Sequence, residues 1–134
     1  ANLLYTFGEQ IGLAFQLQND FLDVYGDTKV FGKAIGGDIV SNKKTFMLIN
    51  AFLKANEQQR AELHRWVEAT EFDEQEKIAA VTRLYNEIGI DTLAKERIDH
   101  YFKQGLACLE AVKIDAERKE QLTAYVYKLM KRNY

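Results

Sequence analysis

The sequence predicts an all-α chain, on three observations. Proline is absent from the 134 residues, so no helix interior loses a backbone donor to a pyrrolidine ring. Strict alternation of apolar and polar residues, the mark of a half-buried strand, is scarce, whereas apolar residues recur every three or four positions along most of the chain. The connections between these periodic segments are short, which makes successive helices antiparallel neighbours in a bundle.

The first helix is expected over 3–25, where Leu3, Phe7, Ile11, Phe15, Gln18 and Leu22 follow one face. Gly26, Asp27 and Thr28 supply turn residues where that pattern stops. Residues 28–37 read as a loop containing Gly32, Gly36 and Gly37. Asp38 or Ser41 is then placed to cap a helix running to about Ala55. Four further helices are expected over 57–69, 73–88, 92–112 and 116–131, with Asp73 and Asp115 as N-caps and Gly89 as a C-terminal stop. There is no internal repeat, and the whole chain reads as one helical domain.

Composition narrows the functional classes. With 47% hydrophobic and 28% charged residues the chain is globular rather than disordered. A net charge of -2 gives no electrostatic reason to expect nucleic acid or an anionic membrane as partner. The longest apolar run, 46–53, is interrupted by Asn50 and falls far short of the ~20 residues that span a bilayer. Cys108 is the one cysteine, which excludes an internal disulfide and fits a reducing, cytoplasmic setting; its apolar neighbours make it a small buried residue. His64 and His100 are isolated in polar surroundings and read as surface residues, and Trp66 as core or partial core. The chain opens Ala1-Asn2-Leu3 and enters a helical pattern at once, which leads us to expect a piece of a longer protein.

The unusual stretch lies at 16–46. Gln16, Asp20, Asp23 and Asp27 share one helical face, with Asn19 on its edge. Stacked carboxylates repel one another by a few tenths of a kcal/mol per pair. They can be a solvated acidic face; a divalent cation would also relieve the conflict, since Mg²⁺ bridges carboxylates to phosphate oxygens. The following loop favours the second reading. Lys33 can neutralise a phosphate oxygen as a point charge. Gly36-Gly37-Asp38 offers backbone N–H groups at the start of the next helix. Lys43, Lys44 and Thr45 could extend the site. Phe15 and Phe21 read as core. The G-x-x-x-x-G-K-[ST] phosphate loop does not occur.

In this order, FQLQNDFLDVYGD and FGKAIGGDIVSNKKTF resemble the second aspartate-rich region of the trans-type isoprenyl diphosphate synthases, or polyprenyl synthetases. That pattern runs FQ-x-x-DD-x-x-D, G-K, G-x-D-I and K-x-T, and the likeness spans about Gly12 to Phe46. The resemblance implies the C-terminal helices of the isoprenoid synthase fold, and a transferase that joins an allylic diphosphate to isopentenyl diphosphate with Mg²⁺. It implies that Asp20, Asp23 and Lys33 serve catalysis, and that Asn19, Asp20, Asp23 and Asp38 hold or support metal. Phe15, Gln16, Lys33 and Lys43 would face the substrates, and the whole protein would be a homodimer.

Two departures stand out. Asn19 occupies the place of the motif's first aspartate, so an uncharged amide oxygen replaces a carboxylate ligand. The family's first aspartate-rich motif is absent, as no DD-x-x-D occurs, so this chain by itself is expected to be inactive. The alternative is a non-catalytic helical subunit of a synthase heteromer, which would have little reason to keep Asp20, Asp23, Lys33 and Asp38. An unrelated helical module with an acidic patch is the third reading.

Overall fold

The computed structural model describes residues 2–26 and 35–131. They form seven helices: α1 (Asn2–Tyr25), α2 (Gly37–Val40), α3 (Phe46–Lys54), α4 (Glu57–Glu68), α5 (Glu74–Ile88), α6 (Ile90–Ala111) and α7 (Ala116–Met130). No strand occurs among the described residues, as the sequence predicts. None of these helices is long and apolar enough to cross a membrane. The chain divides into two compact units, whose described parts are residues 2–19 with 95–131, and residues 20–26 with 35–94.

The first unit holds most of α1, the greater part of α6, and α7. Phe7, Ile11, Ala14 and Leu17 recur at helical spacing on α1 and are buried, as are Ile98, Phe102 and Leu109 of α6 and Val126 of α7. Gln18, on the same face, is fully buried, and its Nε2 donates to the Leu129 carbonyl at 2.9 Å. That carbonyl lies in the last turn of α7. Asp115 caps α7 as expected, accepting from the Arg118 N–H at 2.8 Å. His100 is exposed as expected, whereas Cys108 is half-buried rather than buried.

Gly105 explains how α6 and α1 approach. A Cβ there would run into the Ile11 Cδ1 and lie 3.6 Å from the Phe7 carbonyl oxygen. Alanine is favoured over glycine inside a helix by about 1 kcal/mol, but overpacking a filled core costs about 1–3 kcal/mol. We therefore expect Gly105→Ala to lower the melting temperature. Gly12 is exposed and a Cβ there meets nothing within 4 Å, so Gly12→Ala is expected to gain roughly 0.5–1 kcal/mol. Thermal melts of the two variants should move in opposite directions.

In the second unit, α2, α3 and α4 pack on α5, and α3 also on α4. Phe21, Leu22, Met47, Ala51, Leu63, Val81, Leu84 and Tyr85 are buried there. Asp73 caps α5, accepting from Glu76 N–H at 2.9 Å, and Gly89 ends it at φ 90. Arg83 ties the helices outside the core, pairing with Glu62 of α4 and with Glu87 one turn on. His64 is exposed beside Glu68 at 3.4 Å, and Trp66 is half-buried.

Two boundaries differ from the sequence reading. Neither Asp38 nor Ser41 caps a single helix to Ala55. Asn42 takes the left-handed conformation at φ 57 and separates α2 from α3. The cap of α3 is Thr45, whose hydroxyl accepts from Leu48 N–H at 3.1 Å, so that buried hydroxyl belongs to the helix start. The helix α4 starts at Glu57 as expected, behind a capping box of Asn56 and Gln59 that the pattern of apolar residues did not reveal. Finally, α6 starts at Ile90, directly after Gly89, and not near Thr92.

Candidate functional site

The last turns of α1 carry Asp20 and Asp23 into the second unit. Between and beside them Phe21, Leu22 and Val24 are buried, so the helix is held by its apolar face. Phe21 and Tyr25 stack at 4.8 Å between ring centroids. The Tyr25 hydroxyl donates to the Asn86 amide oxygen at 2.7 Å, which ties the end of α1 to α5. Burial, and then Asp91, pushes the Tyr25 pKa well above the ordinary phenol value. Burial does the same to Tyr85, with Tyr25 and Asp38 adding to it. Both phenols stay neutral at physiological pH and add no negative charge to the carboxylates.

Asp23 is only 6% exposed. Its Oδ2 accepts the Asp38 N–H at 2.9 Å, and its main-chain oxygen accepts the Gly36 N–H at 2.5 Å. Gly37 is close enough that an added Cβ would sit 3.8 Å from Asp23 Oδ1. The start of α2 is thus folded onto Asp23. The sequence reading gave these N–H groups to a phosphate; those of Gly36 and Asp38 are instead bonded to Asp23. The pressure for glycine at 36 comes from φ 94 and from Ile78 of α5, whose Cδ1 would lie 2.5 Å from an added Cβ.

Asp20 and Asp38 meet at Lys43. The ammonium lies 3.2 Å from Asp20 Oδ1 and 3.8 Å from Asp38 Oδ2. The Lys43 N–H also donates to the Asp38 carbonyl at 3.0 Å. The hydrogen bond to Asp20 and the field of Asp20 and Asp38 hold the Lys43 pKa above its usual value, against a small effect of burial. Lys43 lies in the turn before α3, not in its first turn, and its side chain is 56% exposed while those of Asp20 and Asp38 are 21% and 23% exposed. Three carboxylates and a lysine that are far apart in sequence therefore converge around α2.

Asp38 and Lys43 also line a narrow crevice, together with Val24, Asn42, Lys77 and Tyr85. Of the remaining expected site residues, Phe15 and Asn19 are half-buried and Gln16 exposed on α1, in the first unit. Lys44 is exposed. Asp27 and Lys33 lie outside the described residues.

The sequence reading missed Asn42 and Lys77. Lys77 is 1% exposed, and its ammonium donates to the Asn42 amide oxygen at 2.7 Å and the Val40 carbonyl at 3.3 Å. A signal for it was present: Lys77, Val81, Leu84 and Tyr85 share the buried face of α5. A lone lysine in an apolar stripe marks a buried polar partner.

The family model for polyprenyl synthetase matches residues 1–86, which take in all of these site residues. A farnesyl pyrophosphate synthase from Zea mays is 32% identical over 128 residues, covering 92% of this chain and 34% of that protein. A crystal structure of a geranylgeranyl pyrophosphate synthase superposes with TM-score 0.86 at 34% identity, covering 99% of this chain and 42% of that one. A geranylgeranyl pyrophosphate synthase from Corynebacterium glutamicum, complexed with isoprenyl diphosphate and magnesium, has TM-score 0.85 at 30% identity and covers 98% of this chain and 37% of that one. The chain thus spans less than half the length of the relatives it matches. With its aspartate-rich helix, its α2 turn and Lys43 all inside the matched segment, the chain belongs to the polyprenyl synthetase family.

Proposed function

We propose that this chain forms the second aspartate-rich wall of an Mg²⁺-dependent isoprenyl diphosphate synthase, which extends an allylic diphosphate with isopentenyl diphosphate. The observation that carries this reading is the convergence of Asp20 and Asp38 on one positive charge, with Asp23 holding α2 in place. Two carboxylates around one ammonium are a donor set that also suits a hard divalent cation. Among the described residues no group of three or more His, Cys, Asp or Glu is arranged to hold a metal by itself. Mg²⁺ commonly takes one or two carboxylates and completes its shell with water and phosphate oxygens.

Asp20 and Asp38 would hold the ion, with Asn19 offering an amide oxygen and Asp23 securing Asp38 from below. When bound, Mg²⁺ would supply positive charge to the diphosphate as it leaves. Lys43 would pass from the carboxylates to a phosphate oxygen, and Lys33 would add a second ammonium. In the reaction the allylic C–O bond breaks and its electron pair leaves with the diphosphate. The isopentenyl double bond attacks the resulting cation, and a proton is then lost from the adduct. Phe15 and Gln16 would face the prenyl chain. We take the whole protein to be a cytoplasmic homodimer in which this stretch is the C-terminal domain, and the chain alone to be inactive.

The test is diphosphate release by the whole protein from an allylic diphosphate and isopentenyl diphosphate, with and without Mg²⁺. Release that needs Mg²⁺ and is lost in Lys33→Ala is the expected result. No release from well-folded protein would favour the non-catalytic subunit and turn attention to Asn19.

A further inference from the structure

Lys77 is buried, yet its ammonium contacts neutral groups. Its ammonium reaches the Asn42 amide oxygen and the Val40 carbonyl, and lies 4.3 Å from the centroid of the Phe72 ring. Burial accordingly pushes its pKa down. Taking an ammonium out of water is costly unless its donors are filled, and an apolar side chain would fill the same stripe of α5 more cheaply. The chain has placed a cation there, and the groups it holds say why.

Val40 ends α2, so its carbonyl is one of the acceptors that the helix leaves unpaired. Asn42 stands at φ 57 between α2 and α3, and its Nδ2 donates to the Val67 carbonyl at 3.0 Å, near the end of α4. Lys77 of α5 and Val67 of α4 therefore grip Asn42 from two sides. The next residue is Lys43, whose ammonium faces Asp20 and Asp38.

We infer that Lys77, acting through Asn42, is a positioning residue that fixes the 40–43 turn and so sets Lys43 and Asp38 for diphosphate and metal. This inference rests on the function proposed above. The side chain of Lys77 is turned to the turn and not to the carboxylates, so it need not touch a substrate. Its effect would be to hold two groups that do.

The test pairs two readouts on the whole protein. The first is hydrogen exchange at the Lys43 and Asp38 amides, which donate to the Asp38 carbonyl and to Asp23. The second is calorimetric affinity for inorganic diphosphate in the presence of Mg²⁺. Lys77→Met is expected to lose protection at both amides and to bind about 10–100-fold more weakly, the usual range when a supporting partner of a metal site is removed. Asn42→Gly keeps the left-handed backbone but removes both side-chain bonds, and should behave alike; it decides the matter if Lys77→Met does not fold. Asn42→Asp retains the acceptor for Lys77 but loses the donor to the Val67 carbonyl, so it should keep more protection than Asn42→Gly. Unchanged protection in either folded variant overturns the clamp. Lost protection with wild-type affinity overturns the positioning role. If the wild-type whole protein binds no diphosphate, the functional reading fails, and the exchange data still decide the clamp.

Discussion

Replacing Asp20 by alanine is expected to cut Mg²⁺-dependent diphosphate release by the whole protein at least a hundredfold while leaving its melting temperature almost unchanged. The two effects separate because Asp20 contributes little to the fold. Its side chain is partly exposed and pairs with an exposed lysine, and such ion pairs are worth about 0–1 kcal/mol. Stabilising a leaving diphosphate is another matter. Removing one preorganised electrostatic group from a reacting centre costs about 2.7–4 kcal/mol, or 10²–10³ in rate. Asp20→Asn keeps the oxygen and removes the charge, so it should demand more Mg²⁺ for half-maximal release and recover part of the rate at saturation. Release within about threefold of wild type in Asp20→Ala would remove this carboxylate from the reaction, since a tenfold change already corresponds to 1.36 kcal/mol.

How far the sequence could be read depended on whether a feature was local. The apolar period of α1, the caps at Asp73 and Asp115 and the stop at Gly89 are each set within a turn or two of helix, and all appear where expected. The break between α2 and α3 is not local. It turns on Asn42 in the left-handed region, which asparagine tolerates at a helix end, but the partners that hold it there, Val67 and Lys77, come from two other helices and are not legible locally. The candidate site divides the same way. Helical spacing put Asp20 and Asp23 on one face, but it could not reveal that Asp23 is buried under α2 while Asp20 turns to Lys43. Gln18 was legible as a residue of the core face, and its partner at Leu129, far along the chain, was not.

Gly36→Ala is expected to be among the most damaging single-methyl changes in the second unit. Gly36 stands at φ 94, where a side chain costs about 1–2 kcal/mol. Its new methyl would also press on Ile78, with contacts of 2.5, 2.8 and 3.0 Å to three of its carbons, and overpacking of this kind costs about 1–3 kcal/mol. Alanine returns about 0.4–1 kcal/mol by restricting the unfolded chain, too little to offset the two losses. The net expectation is about 1–4 kcal/mol of destabilisation in a denaturant melt. The neighbouring Gly37 is the control. It is the first residue of α2, and the nearest atom to an added Cβ is Asp23 Oδ1 at an ordinary 3.8 Å, so Gly37→Ala should leave stability unchanged or raise it by up to about 1 kcal/mol. Ile78→Val separates the two costs at position 36, because it deletes Cδ1, the atom closest to the new methyl. In the Gly36→Ala background it should restore stability, whereas alone it should cost about 0.5–1.5 kcal/mol. A coupling of at least about 0.5 kcal/mol between the two positions would identify crowding against α5 as a real part of the penalty. Strict additivity would assign the whole effect to backbone conformation. In either case Gly36 must also keep its N–H on the Asp23 carbonyl, so the same variant should weaken the hold of Asp23 on Asp38. Loss of diphosphate affinity beyond what the unfolded fraction accounts for would reveal that second effect.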